Sequence, residues 1–328
     1  MKFIDSLHRA SAITVCVFAG ALASLSPTLA RAAAPLVWTQ APGFYRMALG
    51  DFEITALSDG TFDEPVDELL AHTTRDRVNE ALAKSFLHAP VETSFNAYLV
   101  NTGEKLILID TGAGGLFGPS LGKLAANLQA AGYRPEQVDE IYITHVHPDH
   151  VGGLMAGDKM VFPNALVRMG RKDLDYWLDP ANAATAPESV KSFFPGAVAS
   201  LKPYAAAGRI KAIEGNGELV PGISAVSTIG HTPGHTSFLV ESKGQKLMVW
   251  GDLVHVAAVQ YDAPSVTTLY DSDMNQAEKS RRKAFADAAQ QGWLVTGAHL
   301  AFPGIGHVRT AGKGFVWVPV NYSVPSKP

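Results

Sequence analysis

Thiols are nearly absent: the only cysteine in 328 residues is Cys16. A lone cysteine excludes an intramolecular disulfide framework, a cysteine-cluster zinc site and an iron–sulfur cluster. Charge is sparse too. Charged residues make up 18%, below the ~25% usual for soluble domains, and 27 basic against 31 acidic side chains leave a net charge of −4. With no basic excess there is no field to hold a nucleic-acid backbone, so nucleic acid is not an expected partner. Low hydrophobicity, which disorder requires, is missing as well, because 47% of the residues are hydrophobic. After residue 35 there is no Ser/Gly-rich run, no block of like charge and no repeat of fixed period. A single domain over residues 33–328 is expected.

The N-terminus reads as a targeting segment. Lys2, His8 and Arg9 precede the apolar stretch Ala10 to Leu25, and Ala30-Arg31-Ala32 supplies an A-x-A cleavage site. Sixteen apolar residues fall short of the ~20 that span a bilayer, so residues 1–32 are expected to be a cleavable signal peptide and not a stable membrane anchor. Export to the periplasm or medium follows, with a mature chain that begins near Ala33 and contains no cysteine.

Downstream, strand and helix patterns alternate, as in a layered α/β domain. Phe52 to Leu57 alternates like a half-buried strand and ends at the turn signal Ser58-Asp59-Gly60. Ala97–Val100, Asn101-Thr102-Gly103 and Lys105–Ile109 read as a hairpin that runs into the glycine loop after Asp110. Helical spacing covers Ser120 to Ala131 and Ser280 to Gln290. Short strands are expected at Glu140–Thr144, Leu247–Trp250 and Trp293–Thr296. Pro163 to Gly208 reads as irregular, Pro-rich chain that could cap a site.

Histidine is where the chemistry concentrates. Three of eleven fall within six residues, His145-Val146-His147-Pro148-Asp149-His150, directly after a strand. Imidazole and carboxylate are ligands for zinc and similar ions, and four such groups exceed what one loop needs structurally. A second signal is Gly230-His231-Thr232-Pro233-Gly234-His235, a turn in which one histidine can ligate while the other supports it. Asp252 in Gly251-Asp252 and His299 in Gly297-Ala298-His299 also follow apolar strands. In isolation Asp252 serves equally well as a turn or capping residue, and His299 as a structural one.

Taken in this order, the motifs resemble the metallo-β-lactamase superfamily. The resemblance implies an αββα sandwich with a dinuclear centre at one sheet edge, holding two divalent metal ions, zinc foremost. It assigns His145, His147 and His231 to one ion, Asp149, His150 and His299 to the other, and Asp252 as the bridge. His235 and Asp110 then support the ligands from behind. Ala41 to Met47, Leu124 to Leu154, Phe302 to His307 and Val318 to Tyr322 are similar to the methyl parathion hydrolases and their lactonase relatives. From these the resemblance carries over a hydrophobic pocket of Phe117, Trp177 and Phe194, and a homodimer. Residues read without it, the three aromatics are ordinary core.

His255 and Tyr270 depart from the organophosphate hydrolases, which carry leucine at both places. A more polar pocket suits a small hydrophobic lactone or aryl ester, such as a dihydrocoumarin-like ring, with phosphotriester hydrolysis alongside. Metal-activated hydroxide would attack, with Asp252 and His255 as the catalytic side chains. The alternative is a phosphotriester hydrolase of the methyl parathion type.

Overall fold

A computed structural model describes residues 34–324; the expected signal peptide and Cys16 lie outside the described residues. Residues 34–39 carry no helix or strand. The chain from Gln40 onward forms one compact unit.

Two seven-stranded sheets build it, and in each the spatial order of strands follows the chain. The first comprises β1 (Phe44–Leu49), β2 (Phe52–Glu64), β3 (Val91–Asn101), β4 (Leu106–Ile109), β5 (Glu140–Ile143), β6 (Leu166–Gly170) and β7 (Ile210–Ile213). It is antiparallel from β1 to β4 and parallel from β4 to β7. The second comprises β8 (Gly217–Val220), β9 (Ile223–Ser227), β10 (Thr236–Ser242), β11 (Gln245–Val249), β12 (Leu294–Thr296), β13 (Ile305–Ala311) and β14 (Gly314–Pro319). Its one parallel pair is β11 with β12.

Layering follows from the period-2 alternation of buried strands. In β4, Ile107 and Ile109 face the second sheet beside Tyr142, Phe238 and Val249, while Leu106 and Leu108 face outward. The outward face packs against α1 (Leu124–Ala130), α2 (Arg171–Leu178) and α3 (Phe194–Ala206) through Leu128, Trp177 and Leu201. On the other side Met248, Trp250 and Val295 pack against Phe285 and Ala288 of α4 (Met274–Gln291). This is the αββα sandwich. No helix among the described residues is long and apolar enough to cross a membrane.

Three local expectations need correction. Ser58-Asp59-Gly60 does not end a strand: β2 runs through it with a register shift between Ser58 and Gly60. Asp59 instead turns inward, and its carboxylate accepts from the amides of Ala113, Gly122 and Leu124. Those bonds hold residues 120–123 out of helix, so α1 starts at Leu124 and not at Ser120. Pro163–Gly208 is mostly regular, containing β6, α2 and α3, because its prolines sit at helix starts, as Pro195 does in α3, or are tolerated within α3, as Pro203 is. Finally, α4 begins six residues before Ser280, because Asp273 caps it by accepting from the Gln276 amide.

Candidate metal centre

All the loops that follow β4, β5, β6, β11 and β12, with the β9–β10 turn, gather at one edge of the sandwich. Two backbone bonds sew this edge together: the Thr236 amide donates to the Thr144 carbonyl at 2.8 Å, and the Asn96 amide to Ala298 at 2.9 Å. Asp110 leaves β4 with φ of 61°, a left-handed conformation that Asp tolerates better than most residues. Its carboxylate thereby accepts from the Thr144 amide and hydroxyl, both at 2.8 Å. Gly251 has φ of 56°, and a Cβ there would lie 2.8 Å from the Thr144 side chain and 3.0 Å from His235 Nε2. Only glycine lets Asp252 enter at this point.

Seven side chains converge as two groups that share one member. His145, His147, His231 and Asp252 form the first; Asp149, His150, Asp252 and His299 form the second. Within each group the ligand atoms lie within 4.8 Å of one another. Asp252 Oδ2 stands 3.1 Å from His299 Nε2, 3.5 Å from His231 Nε2 and 3.7 Å from His145 Nε2, while Oδ1 stands 3.3 Å from His150 Nε2.

The outer hydrogen bonds decide which ring nitrogen faces inward. Because Thr144 Oγ1 donates to Asp110, it must accept from His145 Nδ1 at 3.1 Å. His150 Nδ1 donates to Asp110 at 2.9 Å, His231 Nδ1 to Asp271 at 2.8 Å, and His299 Nδ1 to the Ser94 carbonyl at 3.3 Å. Four histidines thus turn Nε2 toward the centre. Among the buried atoms without a hydrogen-bond partner are His145 Nε2, His150 Nε2 and Asp252 Oδ1. His147 Nδ1 faces His231 Nε2 at 3.1 Å, an approach of two ring nitrogens that a shared cation relieves. Buried polar atoms left unpaired cost about 1–3 kcal/mol each unless something binds them. An all-imidazole and carboxylate set fits divalent ions of the zinc type.

Electrostatics divide the groups. His145 and His147 are held well below the usual imidazole range, by burial first and then by His150 and His231 respectively. His150 and His299 are held well above it: burial opposes this, but Asp252 and Asp149 outweigh burial. Asp149 and Asp252 are depressed in spite of burial, chiefly by His150.

His235 lies behind Asp252. Its Nε2 accepts from the Asp252 amide at 3.2 Å, so its Nδ1 carries the proton and donates to Thr228 at 2.8 Å. Burial, followed by His231, pushes its pKa down to about 3.

Over the centre lies a cavity of about 100 Å³ whose walls include Phe62, Glu64, Phe95, Phe117, Phe193, His255 and Tyr270. Phe117, His255 and Tyr270 are therefore in the wall, but Trp177 and Phe194 are not. Both are core residues, Phe194 against Trp177 at 4.5 Å and the Trp177 ring edge-on to His147 at 5.2 Å. Residues 193 and 194 are successive at the start of α3, and the helical turn of roughly 100° between them sends Phe193 into the cavity and Phe194 into the core. His255 stacks on His299 at 5.3 Å, and its Nε2 lies 3.1 Å from Asp252 Oδ2 without alignment for a hydrogen bond. Burial lowers its pKa.

Three supporting residues escaped the sequence. Asp271 holds His231 as Asp110 holds His150, and is itself approached by the buried Arg281 at 3.8 Å. Asp173 at the start of α2 is fully buried and accepts from the Val146 and Gly234 amides and the Thr232 hydroxyl, tying both histidine loops together. Glu64 ends β2 at the cavity. None of the three was marked by a motif or by spacing in the sequence. Gly118-Pro119-Ser120-Leu121-Gly122 has the spacing of a serine nucleophile elbow, but Ser120 is exposed and no histidine hydrogen-bonds to it among the described residues.

A fold of this kind with paired His/Asp groups at one sheet edge defines a class, and comparison agrees. The family model described as the metallo-beta-lactamase superfamily matches residues 92–299. The chain belongs to that superfamily. It is 40% identical to the crystal structure of hydrolase AbOPH in the beta lactamase superfamily, with TM-score 0.83, covering 87% of this chain and 100% of that one. It is 29% identical to AidC, a dizinc quorum-quenching lactonase solved in complex with a product, with TM-score 0.80 over 86% of this chain and 99% of that one. An N-acyl homoserine lactonase of Bacillus cereus is 28% identical over 195 residues, 53% of this chain and 68% of the relative. Within the superfamily the chain is thus a metal-dependent hydrolase akin to lactonases, with a centre for two divalent ions.

Proposed function

We propose that the protein hydrolyses small hydrophobic lactones and, with them, aryl esters, using two zinc ions, and that phosphotriester hydrolysis is a weaker side activity. The observation that carries this reading is the set of Nε2 atoms turned inward by Asp110, Thr144, Asp271 and Ser94 around Asp252. The lactonase relatives support the choice of electrophile.

His145, His147, His231 and Asp252 would hold one ion, and Asp149, His150, Asp252 and His299 the other. When bound, the ion pair supplies a Lewis acid for the carbonyl and activates water at neutral pH. The chain does the rest. Phe62, Phe95, Phe117 and Phe193 give an apolar wall against which a planar ring lies. His255, with both ring nitrogens unpaired, donates to a substrate oxygen.

A panel of an acyl homoserine lactone, dihydrocoumarin, an aryl acetate and methyl parathion, assayed on metal-loaded protein, tests this. Lactones should turn over with the highest kcat/KM. His255→Leu should shift the ratio toward the phosphotriester by ~5–150-fold, the effect of removing one polar contact. A native preference for methyl parathion would replace this reading with the phosphotriesterase one. We also place the mature chain outside the cytoplasm, as a homodimer starting near Ala33; N-terminal sequencing and sedimentation check both.

A further inference from the structure

Between the outer face of the second sheet and α4 lies a cavity of about 370 Å³ that shares no wall residue with the one over the metal centre. Val226, Met248, Ala284 and Trp293 give it apolar walls. Two hydroxyl residues, Thr228 just after β9 and Ser237 in β10, also line it, although both are more than nine-tenths buried. Their oxygens lie 2.9 Å apart, and this pair holds one proton too many. His235 already donates to Thr228 Oγ1, so the two hydroxyls have two protons and a single bond to make with each other. Whichever donates, one hydroxyl proton is left over, and neither side chain has a further acceptor among the described residues. A buried donor without an acceptor is costly, so this wall calls for an acceptor from the cavity. Charge at the rim points the same way. Lys279 and Lys283 both border the cavity, four residues apart on one face of α4, a spacing at which like charges destabilise a helix. Lys283 is matched by Asp287 at 2.6 Å, and Asp287 is itself in the wall, but Lys279 makes no ion pair among the described residues. One uncompensated positive charge remains at the mouth.

We propose that this cavity is a second ligand site, for a small carboxylate with an apolar body. The carboxylate accepts the spare hydroxyl proton of the Thr228–Ser237 pair with its charge facing Lys279, and the body lies against Met248 and Trp293. A carboxylate suits both demands at once, because it only accepts hydrogen bonds and carries the opposite charge to the rim. The volume agrees with a ligand of one ring and a short arm. Opening of a lactone or ester releases an acid of this class, so the site goes beyond the function proposed above and takes the kind of product it yields. Binding itself does not depend on that function.

The test titrates metal-loaded protein with hydrocinnamate and, separately, with its neutral amide. The readout is the NMR signal of the Trp293 indole N–H, assigned through Trp293→Phe, which reports on this cavity and not on a carboxylate held by the metal ions. Hydrocinnamate should shift that signal saturably and bind ~10-fold more tightly than the amide. Lys279→Glu, at an exposed helix position that tolerates the change, should bring that ratio toward one. Ala284→Leu, which fills part of the cavity, should weaken both ligands by ~5-fold or more. Neither residue touches the metal centre, so both variants should keep two ions per chain and the native kcat/KM for lactones. No saturable shift (a cavity holding water only), equal binding of acid and amide, or a preference that survives Lys279→Glu overturns the proposal. If Ala284→Leu does not fold, Lys279→Glu decides. Failure of the lactone reading looks different: no lactone is hydrolysed by metal-loaded protein, while the hydrocinnamate titration still reports on the cavity.

Discussion

The two ligand groups share Asp252 and little else. The first adds three histidines to it, and two of these are kept neutral by burial and then by His150 and His231 respectively. The second adds Asp149 and two histidines that the paired carboxylates hold protonated when no cation competes. The supports differ as well. His150 is fixed by Asp110, itself locked by Thr144 next door in the same sheet. His231 is fixed by Asp271, which depends on a separate loop, the Thr268 amide and the buried Arg281. Burial opposes the charge on Asp271, yet its hydrogen bond to His231 pulls it down to about 2. One group is therefore ready for an ion and the other must first give up protons.

The largest expected effect comes from removing what the groups share. Asp252→Ala should strip both ions and reduce activity by more than the ~10–100-fold typical of losing a supporting residue; metal analysis and kcat/KM measure it. Retention of two ions would mean that Asp252 bridges nothing. Next come the supports taken singly. Asp110→Asn, which tolerates the left-handed backbone, should weaken the second group, and Asp271→Asn the first, each by ~10–100-fold in metal affinity. Stoichiometry should fall toward one ion per chain, with the surviving site differing between the variants.

Acid should separate the groups without mutation. Because His150 and His299 lie well above the ordinary imidazole value, protons compete for the second group at higher pH than for the first. As pH falls, the ion held by Asp149, His150 and His299 should leave first, visible as a step from two ions to one. Simultaneous loss would show that the groups are not electrostatically distinct. The smallest effect concerns His235, which serves the shared Asp252 through its backbone. Its pKa of about 3 in the folded chain lies below the ordinary ~6.5. Between those values the unfolded chain binds a proton that the folded one refuses, so stability falls as pH drops from ~6.5 toward 3, by at most ~1.4 kcal/mol per pH unit. His235→Gln should flatten that acid limb in denaturant titrations, at a cost near 1 kcal/mol at neutral pH.

Legibility in the sequence followed locality. His145, His147, Asp149 and His150 announce themselves because one loop carries all four. His231, Asp252 and His299 were individually ambiguous, and only their common position after strands joined them. Asp110 and His235 were found by resemblance, and their hydrogen bonds give them a physical role. Trp177 and Phe194 were carried into the cavity wall by resemblance, whereas the residues alone read as core, where both lie; one residue's shift at the start of α3 gave the wall place to Phe193.

What the sequence by itself determined is the alternation of buried strands with helices, the edge at which their ends carry ligands, and the kind of donor those ends present. These are set by side-chain chemistry and by periods of two and 3.6 residues, which need no knowledge of distant neighbours. Tertiary structure alone decided which ring nitrogen faces the centre, and that Asp271, Asp173 and Glu64 stand around it. Each of those depends on partners far apart in the chain: Asp271 lies forty residues from His231, and Asp173 fifty-nine from Thr232. A hydrogen bond has direction as well as reach, and direction is fixed only when the sheets have packed.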